Sequence, residues 1–216
     1  MRTGKIAAAM AAFIVIGSTQ AQAQTWPAKP VRLVIPFAVG GGADILGRLF
    51  AQKLYQQTGQ TVVADTRAGA GGNLGAEITA KSPADGYTVL FTTNSMAVNV
   101  SLYPKLNYNA LTDLTPVALV AAVPLILVVH PSVPVRNVKE LIALAKKKPN
   151  GLNFGSNGSG TTSHLSGVLL GDLAKISITH IPYKGAGAVM IALLGGEVDM
   201  GFVGAVGATP HLKAGK

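Results

Sequence analysis

The sequence predicts an α/β protein made of two consecutive units, each with a largely parallel sheet. Short apolar runs rich in β-branched residues alternate with segments in which apolar residues recur every three or four positions. Glycine-rich loops separate several of these strands from the helix that follows. The alternation begins again around Pro124, so we expect a first unit over residues 24–122 and a second over residues 123–216.

The first unit starts with a strand, a glycine loop and a helix. The apolar run 31–35 suits a strand buried on both faces, and Pro36 ends it because proline lacks an N–H. Glycines 40–42 follow, and helical spacing then predicts a helix that begins at residue 43 or 44. Such a loop presents free N–H groups that favour an anion, although a tight turn that binds nothing is an equal alternative.

The remainder of the first unit repeats the alternation less regularly. Gly59 is predicted to end the first helix, and a second glycine loop covers 67–75. Leu74 stands where the dinucleotide motif G-x-G-x-x-G needs its third glycine, so that motif is not matched. The further predicted elements are strands at 61–64, 87–92 and 117–122, a short helix at 76–80, and an irregular segment at 101–116.

The second unit shows the clearest alternation of strands and helices. Its predicted strands are 125–129, 152–154, 177–181 and 198–203, and its predicted helices are 138–147, 163–173 and 187–194. Ligands of such sheets bind beyond the carboxyl ends of the strands. We therefore expect the loops that follow these strands to form the site.

A third glycine loop, 155–162, nearly matches the phosphate loop G-x-x-x-x-G-K-[ST]. Thr161 stands where the lysine should be, and the signal-peptide pattern described below predicts export to a compartment with little ATP, so nucleotide hydrolysis is excluded. The small residues, N–H groups and hydroxyls ahead of a helix suit a carboxylate. The alternative is a hydroxyl-rich helix cap that binds no ligand.

Other chemistry is poorly supported by the sequence. The four histidines form no i, i+4 pair and no H-E-x-x-H motif, so no metal or other cofactor is expected. The chain has no cysteine, and its serines lack the G-x-S-x-G elbow. His164, in the first turn of a predicted helix, is either a ligand contact or a packing residue. The net charge of +9 comes from scattered basic residues, so no nucleic-acid partner is expected.

The N-terminus has the pattern of a signal peptide. Arg2 and Lys5 precede an apolar run at 6–16, and residues 21–23 form an A-x-A cleavage site. The run is about half of the roughly 20 residues needed to span a bilayer. We therefore expect residues 1–23 to be removed after Ala23 and the mature chain to be released into the periplasm.

The sequence resembles the solute-binding proteins of tripartite tricarboxylate transporters, the Bug family. The resemblance covers almost the whole mature chain in the family's order. It is carried by segments 30–37 with Gly40, Gly41 and Asp44; Arg67 with 69–72, 75 and 76; 85–88; 102–108; 113–117; 154–156 with Gly158, Gly160, His164 and Leu165; 182–185; and 194–196.

This resemblance implies a type II periplasmic-binding-protein fold, with two α/β domains that close on a small ligand. It also implies that main-chain amides and waters of the first βα loop in each domain bind a carboxylate. Those loops correspond to residues 37–44 and 156–162. The candidate ligand-binding residues are Phe37, Ala38, Val39, Gly40, Gly41, Asp44, Asn94, Ser156, Gly158, Ser159, Gly160, Thr161, Thr162, His164 and Tyr183.

The function implied is capture of a small carboxylate for the inner-membrane transporter subunits by a monomeric, non-enzymatic protein. The ligand would be a di- or tricarboxylate, an amino acid or an aromatic acid. A ligand sensor for a signalling partner is the main alternative, and an exported α/β hydrolase is a weaker one. Family members continue beyond the equivalent of Lys216 and return to the first domain, so we expect that return to be missing from this chain.

Overall fold

A computed structural model describes residues 25–215. The signal-peptide prediction and the cleavage expected after Ala23 lie outside this range. The strands are β1 (Val31–Ile35), β2 (Val62–Thr66), β3 (Thr88–Leu90), β4 (Leu125–Val129), β5 (Asn153–Ser156), β6 (Thr179–Pro182) and β7 (Met200–Gly204). The helices are α1 (Gly42–Thr58), α2 (Asn73–Ala80), α3 (Ser95–Leu102), α4 (Val138–Lys147), α5 (Thr162–Ala174), α6 (Ala186–Leu194) and α7 (Ala205–Lys213), with a 3₁₀ turn at Ala70–Gly72 before α2.

The first sheet has three parallel strands in the order β2-β1-β3. Its central strand is β1, in which four of the five side chains are fully buried. This agrees with the apolar, β-branched run that predicted a strand covered on both faces. Helix α1 follows directly and ends at Gly59, whose φ of +71° is a conformation that glycine adopts at little cost.

The second sheet has the order β4-β7-β5-β6. Strands β5, β6 and β7 are parallel, and β4 joins the edge antiparallel to β7. Phe154, Leu141 and Met200 form the centre of the core on one face. Val189 and Val198 belong to a second apolar cluster that includes α6. Both faces of the central strands are therefore covered, as expected for a parallel sheet.

The two sheets take their strands from successive parts of the chain. We call the first sheet with α1–α3 the first lobe, and the second sheet with α4–α7 the second lobe. The predicted class of an α/β protein with two largely parallel sheets is confirmed. Among residues 25–215 no helix is both long enough and apolar enough to cross a membrane.

The main differences from the predicted secondary structure concern four segments. Residues 117–122 form no strand: Val117 is 88% exposed and Leu119 is 89% exposed. Strand preference describes a fit to a pleated, half-buried surface, and this segment pairs with no strand in the described part of the chain. Helices α3 and α7 were not predicted, and α2 begins at Asn73 rather than at residue 76.

Candidate functional site

The two lobes meet around a cavity of about 220 Å³. Its lining comes from segments at the carboxyl ends of β1, β5 and β6, where parallel sheets place their ligands. The second glycine loop and Tyr103 complete the wall. The lining residues are Pro36, Phe37, Gly69, Ala70, Gly71, Gly72, Tyr103, Asn157, Gly158, Ser159, Pro182, Tyr183 and Lys184.

The first glycine loop, between β1 and α1, is held by a buried carboxylate. Asp44 is 3% exposed; its Oδ2 accepts the Gly40 N–H at 3.1 Å and its Oδ1 accepts Arg48 Nε at 2.9 Å. The Ala38 N–H donates to the Lys184 carbonyl of the second lobe at 3.0 Å. Of the four consecutive amides of residues 38–41, two are thus already engaged. The amides of Val39 and Gly41 have no acceptor among the described residues.

Main-chain contacts join the first loop to the start of α6. A Cβ at Gly187 would clash with the Val39 carbonyl oxygen, and one at Gly41 would lie 2.9 Å from Ala186 Cβ. The backbones approach this closely because both positions are glycine. The structure therefore shows the lobes in direct contact on this side of the cavity.

A second set of contacts between the lobes involves the third glycine loop. Tyr103 Oη donates to the Ser159 carbonyl at 3.3 Å, and a Cβ at Gly71 would clash with that same oxygen. Thr162 Oγ1 donates to Asn94 Oδ1 at 2.7 Å. Asn94, which the sequence predicts as a ligand-binding residue, thus also links the two lobes.

A network of buried side chains holds the second glycine loop through hydrogen bonds. Asn99, 1% exposed, donates from Nδ2 to the Gly71 carbonyl at 3.1 Å and to Asn73 Oδ1 at 2.9 Å. Tyr108 Oη also donates to Asn73 Oδ1, at 3.0 Å. These hydrogen bonds fix a turn in which Gly71 has φ +63°. The network therefore holds the part of the loop that lines the cavity in one conformation.

The third glycine loop, between β5 and α5, is pinned by its own side chains. Asn157 N–H donates to Ser163 Oγ at 2.9 Å, Gly158 N–H to Ser156 Oγ at 3.2 Å, and Gly160 N–H to His164 Nδ1 at 3.2 Å. Thr161 Oγ1 donates to the Gly158 carbonyl at 2.6 Å. Most of the amides expected to hold a carboxylate are therefore used to shape the loop, as in a hydroxyl-rich cap.

Three aromatic rings stack beneath this loop. The His180 ring lies between Phe154, at 4.9 Å between centroids, and His164, at 4.1 Å. Burial lowers the pKa of His180 to about 4, with a further contribution from His164. Burial also lowers the pKa of His164 below its usual value. Both rings are therefore neutral at pH 7.

The structure brings four of the predicted site residues to the cavity: Phe37, Gly158, Ser159 and Tyr183. Asp44, Ser156, Thr161 and His164 instead hold the loops through hydrogen bonds. The lining residues outside the candidate set are Pro36, Gly69, Ala70, Gly71, Gly72, Tyr103, Asn157, Pro182 and Lys184. The signal for 69–72 in the sequence is the glycine loop itself, although this loop does not match the dinucleotide motif.

Ser156 and His180 form a pair that the sequence did not reveal, with 2.6 Å between Oγ and Nε2. Such a pair is one element of a nucleophilic hydrolase. Here Ser156 is fully buried, and its Oγ also contacts both the Gly158 amide and carbonyl. The hydroxyl is therefore a structural bridge with no access to a substrate in this structure.

The sequence was compared with known proteins. Residues 46–216 match TctC, the tripartite tricarboxylate transporter family receptor. Protein BugT of Bordetella pertussis is 38% identical over the whole chain, which spans 67% of BugT. A UPF0065 protein from the tcbD-tcbE intergenic region of Pseudomonas sp. is 36% identical over 91% of this chain and 59% of its own length.

Solved structures show the same relationship. Rpa4515 of R. palustris with adipate is 39% identical with a TM-score of 0.85, and BugD is 34% identical with the same TM-score. MatC from Rhodopseudomonas palustris with bound malate is 34% identical with a TM-score of 0.80. Each match covers 88% of this chain and 64–65% of the other.

The agreement in sequence and in fold extends over both lobes. The chain spans about two thirds of the solved relatives, whose α/β periplasmic-binding-protein fold it shares over that part. Proteins of this kind bind solutes and are not enzymes, which removes the hydrolase alternative. The chain therefore belongs to the tripartite tricarboxylate transporter family of receptors, the periplasmic solute-binding proteins that include the Bug proteins.

Proposed function

We propose that this chain captures a small dicarboxylate between its two lobes and delivers it to the membrane subunits of a tripartite transporter. The observation that carries the proposal is the cavity of about 220 Å³ between glycine loops of both lobes. It is smaller than the roughly 300–1,000 Å³ of pockets for drug-sized ligands, which suits a small solute. Relatives with 34–39% identity have been solved with adipate and with malate.

Among the described residues that line the cavity, Lys184 is the one with a charged side chain, and four of the others are glycine. The first loop reaches the cavity wall at Phe37. The amides of Val39 and Gly41, further along this loop, are not part of that wall, but they have no acceptor among the described residues. We propose them as donors for a carboxylate that extends from the cavity towards the loop. Tyr103 and the second glycine loop also line the cavity. Lys184 is exposed at the rim. Preorganised dipoles of this kind bind an anion without a full counter-charge, so we propose recognition chiefly by amides and hydroxyls.

A binding panel tests this function. We expect adipate or malate to bind and the uncharged diamide of adipate to bind far more weakly. At a ligand concentration of 100 times Kd the stabilisation is about 2.7 kcal/mol, which corresponds to a rise in Tm of roughly 5–10 °C. Calorimetry then gives Kd for the ligands that raise Tm. Failure of every small carboxylate to bind would refute the proposal.

The panel also separates amide recognition from an ion pair. Because an exposed charge contributes about 0–1 kcal/mol, Lys184→Ala is expected to change Kd by no more than about fivefold. Loss of all binding in Lys184→Ala would instead show that the site depends on a salt bridge.

The division of the chain into a first domain, 24–122, and a second domain, 123–216, remains part of the proposal. It is supported by the fact that each sheet takes its strands from one side of this boundary.

A separate prediction concerns export of the chain to the periplasm. The basic residues, the short apolar run and the A-x-A pattern predict a soluble periplasmic chain that begins at Gln24. Mass spectrometry of the periplasmic fraction is expected to give that N-terminus. A product that keeps Met1, or one that stays with the membrane after a carbonate wash, would contradict the prediction.

A further inference from the structure

We infer that His164 and His180 are positioning residues, a stacked pair of neutral imidazoles that holds the third glycine loop in its cavity-lining shape. Neither ring belongs to the cavity wall. Each acts on the wall through one hydrogen bond to the segment 156–160. Their effect on ligand affinity rests on the function proposed above, whereas their effect on the loop does not.

Both rings hold amides of this loop. His164 accepts the Gly160 N–H directly at Nδ1. His180 acts through Ser156, whose Oγ lies 2.6 Å from Nε2 and accepts the Gly158 N–H at 3.2 Å. Gly158 and Ser159 line the cavity, so a shift of either amide moves part of the cavity wall.

The geometry requires a neutral His164. Nδ1 accepts a hydrogen bond only when it carries a lone pair, so the ring proton is on Nε2. A protonated ring would turn Nδ1 into a donor that faces the Gly160 N–H. The cation would also lie against His180, with 4.1 Å between the ring centroids. Protonation therefore removes one support of the loop and disfavours the stack.

The surroundings of the two rings are uncharged. Strand β5 contributes Phe154 and Ser156, and the loop contributes the Gly160 backbone. The pKa shifts of the two histidines are caused by burial, with a further contribution from His164 in the case of His180, and no carboxylate or basic side chain among residues 25–215 contributes to them. Because both pKa values are lowered, the folded state binds fewer protons than the unfolded chain. The contribution of this neutral pair to stability is therefore fully present above about pH 6.5, the usual pKa of histidine, and is lost as the pH falls towards the His180 pKa of about 4.

The loop has little room for an alternative position. A Cβ at Gly160 would clash with Asn99 Oδ1, and one at Gly158 would lie 3.3 Å from the Tyr183 carbonyl. The chain is thus enclosed by α3 on one side and by the end of β6 on the other. Loss of a hydrogen bond inside such a fitted loop is expected to shift its neighbours and raise the population of open forms.

Matched substitutions separate the hydrogen bond from the stacking. His164→Asn keeps an acceptor close to the position of Nδ1 but cannot titrate. His164→Phe keeps an aromatic ring but has no acceptor. His180→Gln keeps a polar atom near Nε2 for the Ser156 hydroxyl. His211→Asn, on α7, is the control for removal of a histidine elsewhere.

Amide hydrogen exchange of the full chain gives a readout that needs no ligand. Relative to the Val34 amide in β1, we expect His164→Phe to speed exchange at Gly160 by about three- to tenfold, the effect of one lost hydrogen bond. His164→Asn and His211→Asn should stay near wild type at pH 7.5. Between pH 6.5 and 4, protection at Gly158 and Gly160 should fall in wild type. In the His164→Asn/His180→Gln double variant it should fall much less.

Two results would overturn the inference: unchanged Gly160 exchange in His164→Phe, or wild-type loop protection that does not depend on pH down to 4. Calorimetry with adipate adds the functional readout, with Kd raised about three- to tenfold in His164→Phe and about unchanged in His164→Asn. If adipate and malate bind to no variant, including wild type, the proposed function fails. The exchange data still decide the role of the histidines.

Discussion

Replacement of Gly187 by alanine is expected to weaken ligand binding by roughly 10- to 100-fold. The added Cβ would clash with the Val39 carbonyl oxygen across the contact between the lobes. Overpacking of such a contact costs about 1–3 kcal/mol, and about 1.4 kcal/mol is a factor of ten in Kd. Opening of the lobes relieves the clash, so the cost falls on the closed, ligand-competent form.

The matched control for this variant is Gly207→Ala. Gly207 also lies in a helix, but its Cβ would be 3.9 Å from the nearest atom, the Gly40 carbonyl oxygen. Both changes improve helix propensity by up to about 1 kcal/mol, so neither should lower the free energy of unfolding. Calorimetry gives Kd, and small-angle scattering should show a more open Gly187→Ala molecule without ligand. Equal affinities for the two variants would mean that ligand binding does not need this contact.

The largest effect on stability is expected at Phe154. This ring is 2% exposed and lies at the centre of the second lobe's core. Phe154→Ala should lower the free energy of unfolding by about 3–5 kcal/mol, because the lost burial adds to the cost of a cavity. Gly167→Ala should cost about 1–3 kcal/mol, since a Cβ there would run into the Phe154 ring.

A double-mutant cycle tests whether these two costs share one cause. Phe154→Leu removes the outer ring atoms that a Cβ at Gly167 would meet. The pair Phe154→Leu/Gly167→Ala should therefore be more stable than the sum of its single effects, by about 1–2 kcal/mol. Denaturant unfolding measures each corner, with Gly207→Ala as the helix-glycine control. Additive effects would show that α5 does not pack on the ring as described.

Much of the fold was accessible to pattern reasoning because it depends on local apolar periodicity. The run 31–35 predicted the central strand of the first sheet, and the period of 138–147 predicted α4 to the residue. Helix α3 was missed because its buried face is polar, with Ser95 and Asn99 inside and Val100 exposed. An apolar pattern indicates the wrong face when a helix buries amides to support a loop.

The candidate site was harder to predict, because its residues depend on the relative position of two lobes. Sequence identified glycine loops that flank the cavity, but it did not show that Ala38 N–H would be taken by the Lys184 carbonyl. The sequence also did not show that the second glycine loop and Tyr103 would line the cavity. Helix α7 was missed because Gly207 and Pro210 both disfavour a helix, and packing against α6 and β7 outweighs them.

The contacts between the lobes have an evolutionary consequence. Many of the atoms that meet belong to the main chain: the Ala38 amide and the carbonyls of Val39, Ser159 and Lys184. Most substitutions leave such atoms in place, whereas a larger side chain at the facing glycines does not. Side chains around the cavity can therefore change to admit new solutes while the main-chain contacts between the lobes are kept. A small set of glycines would carry the strongest constraint on that divergence.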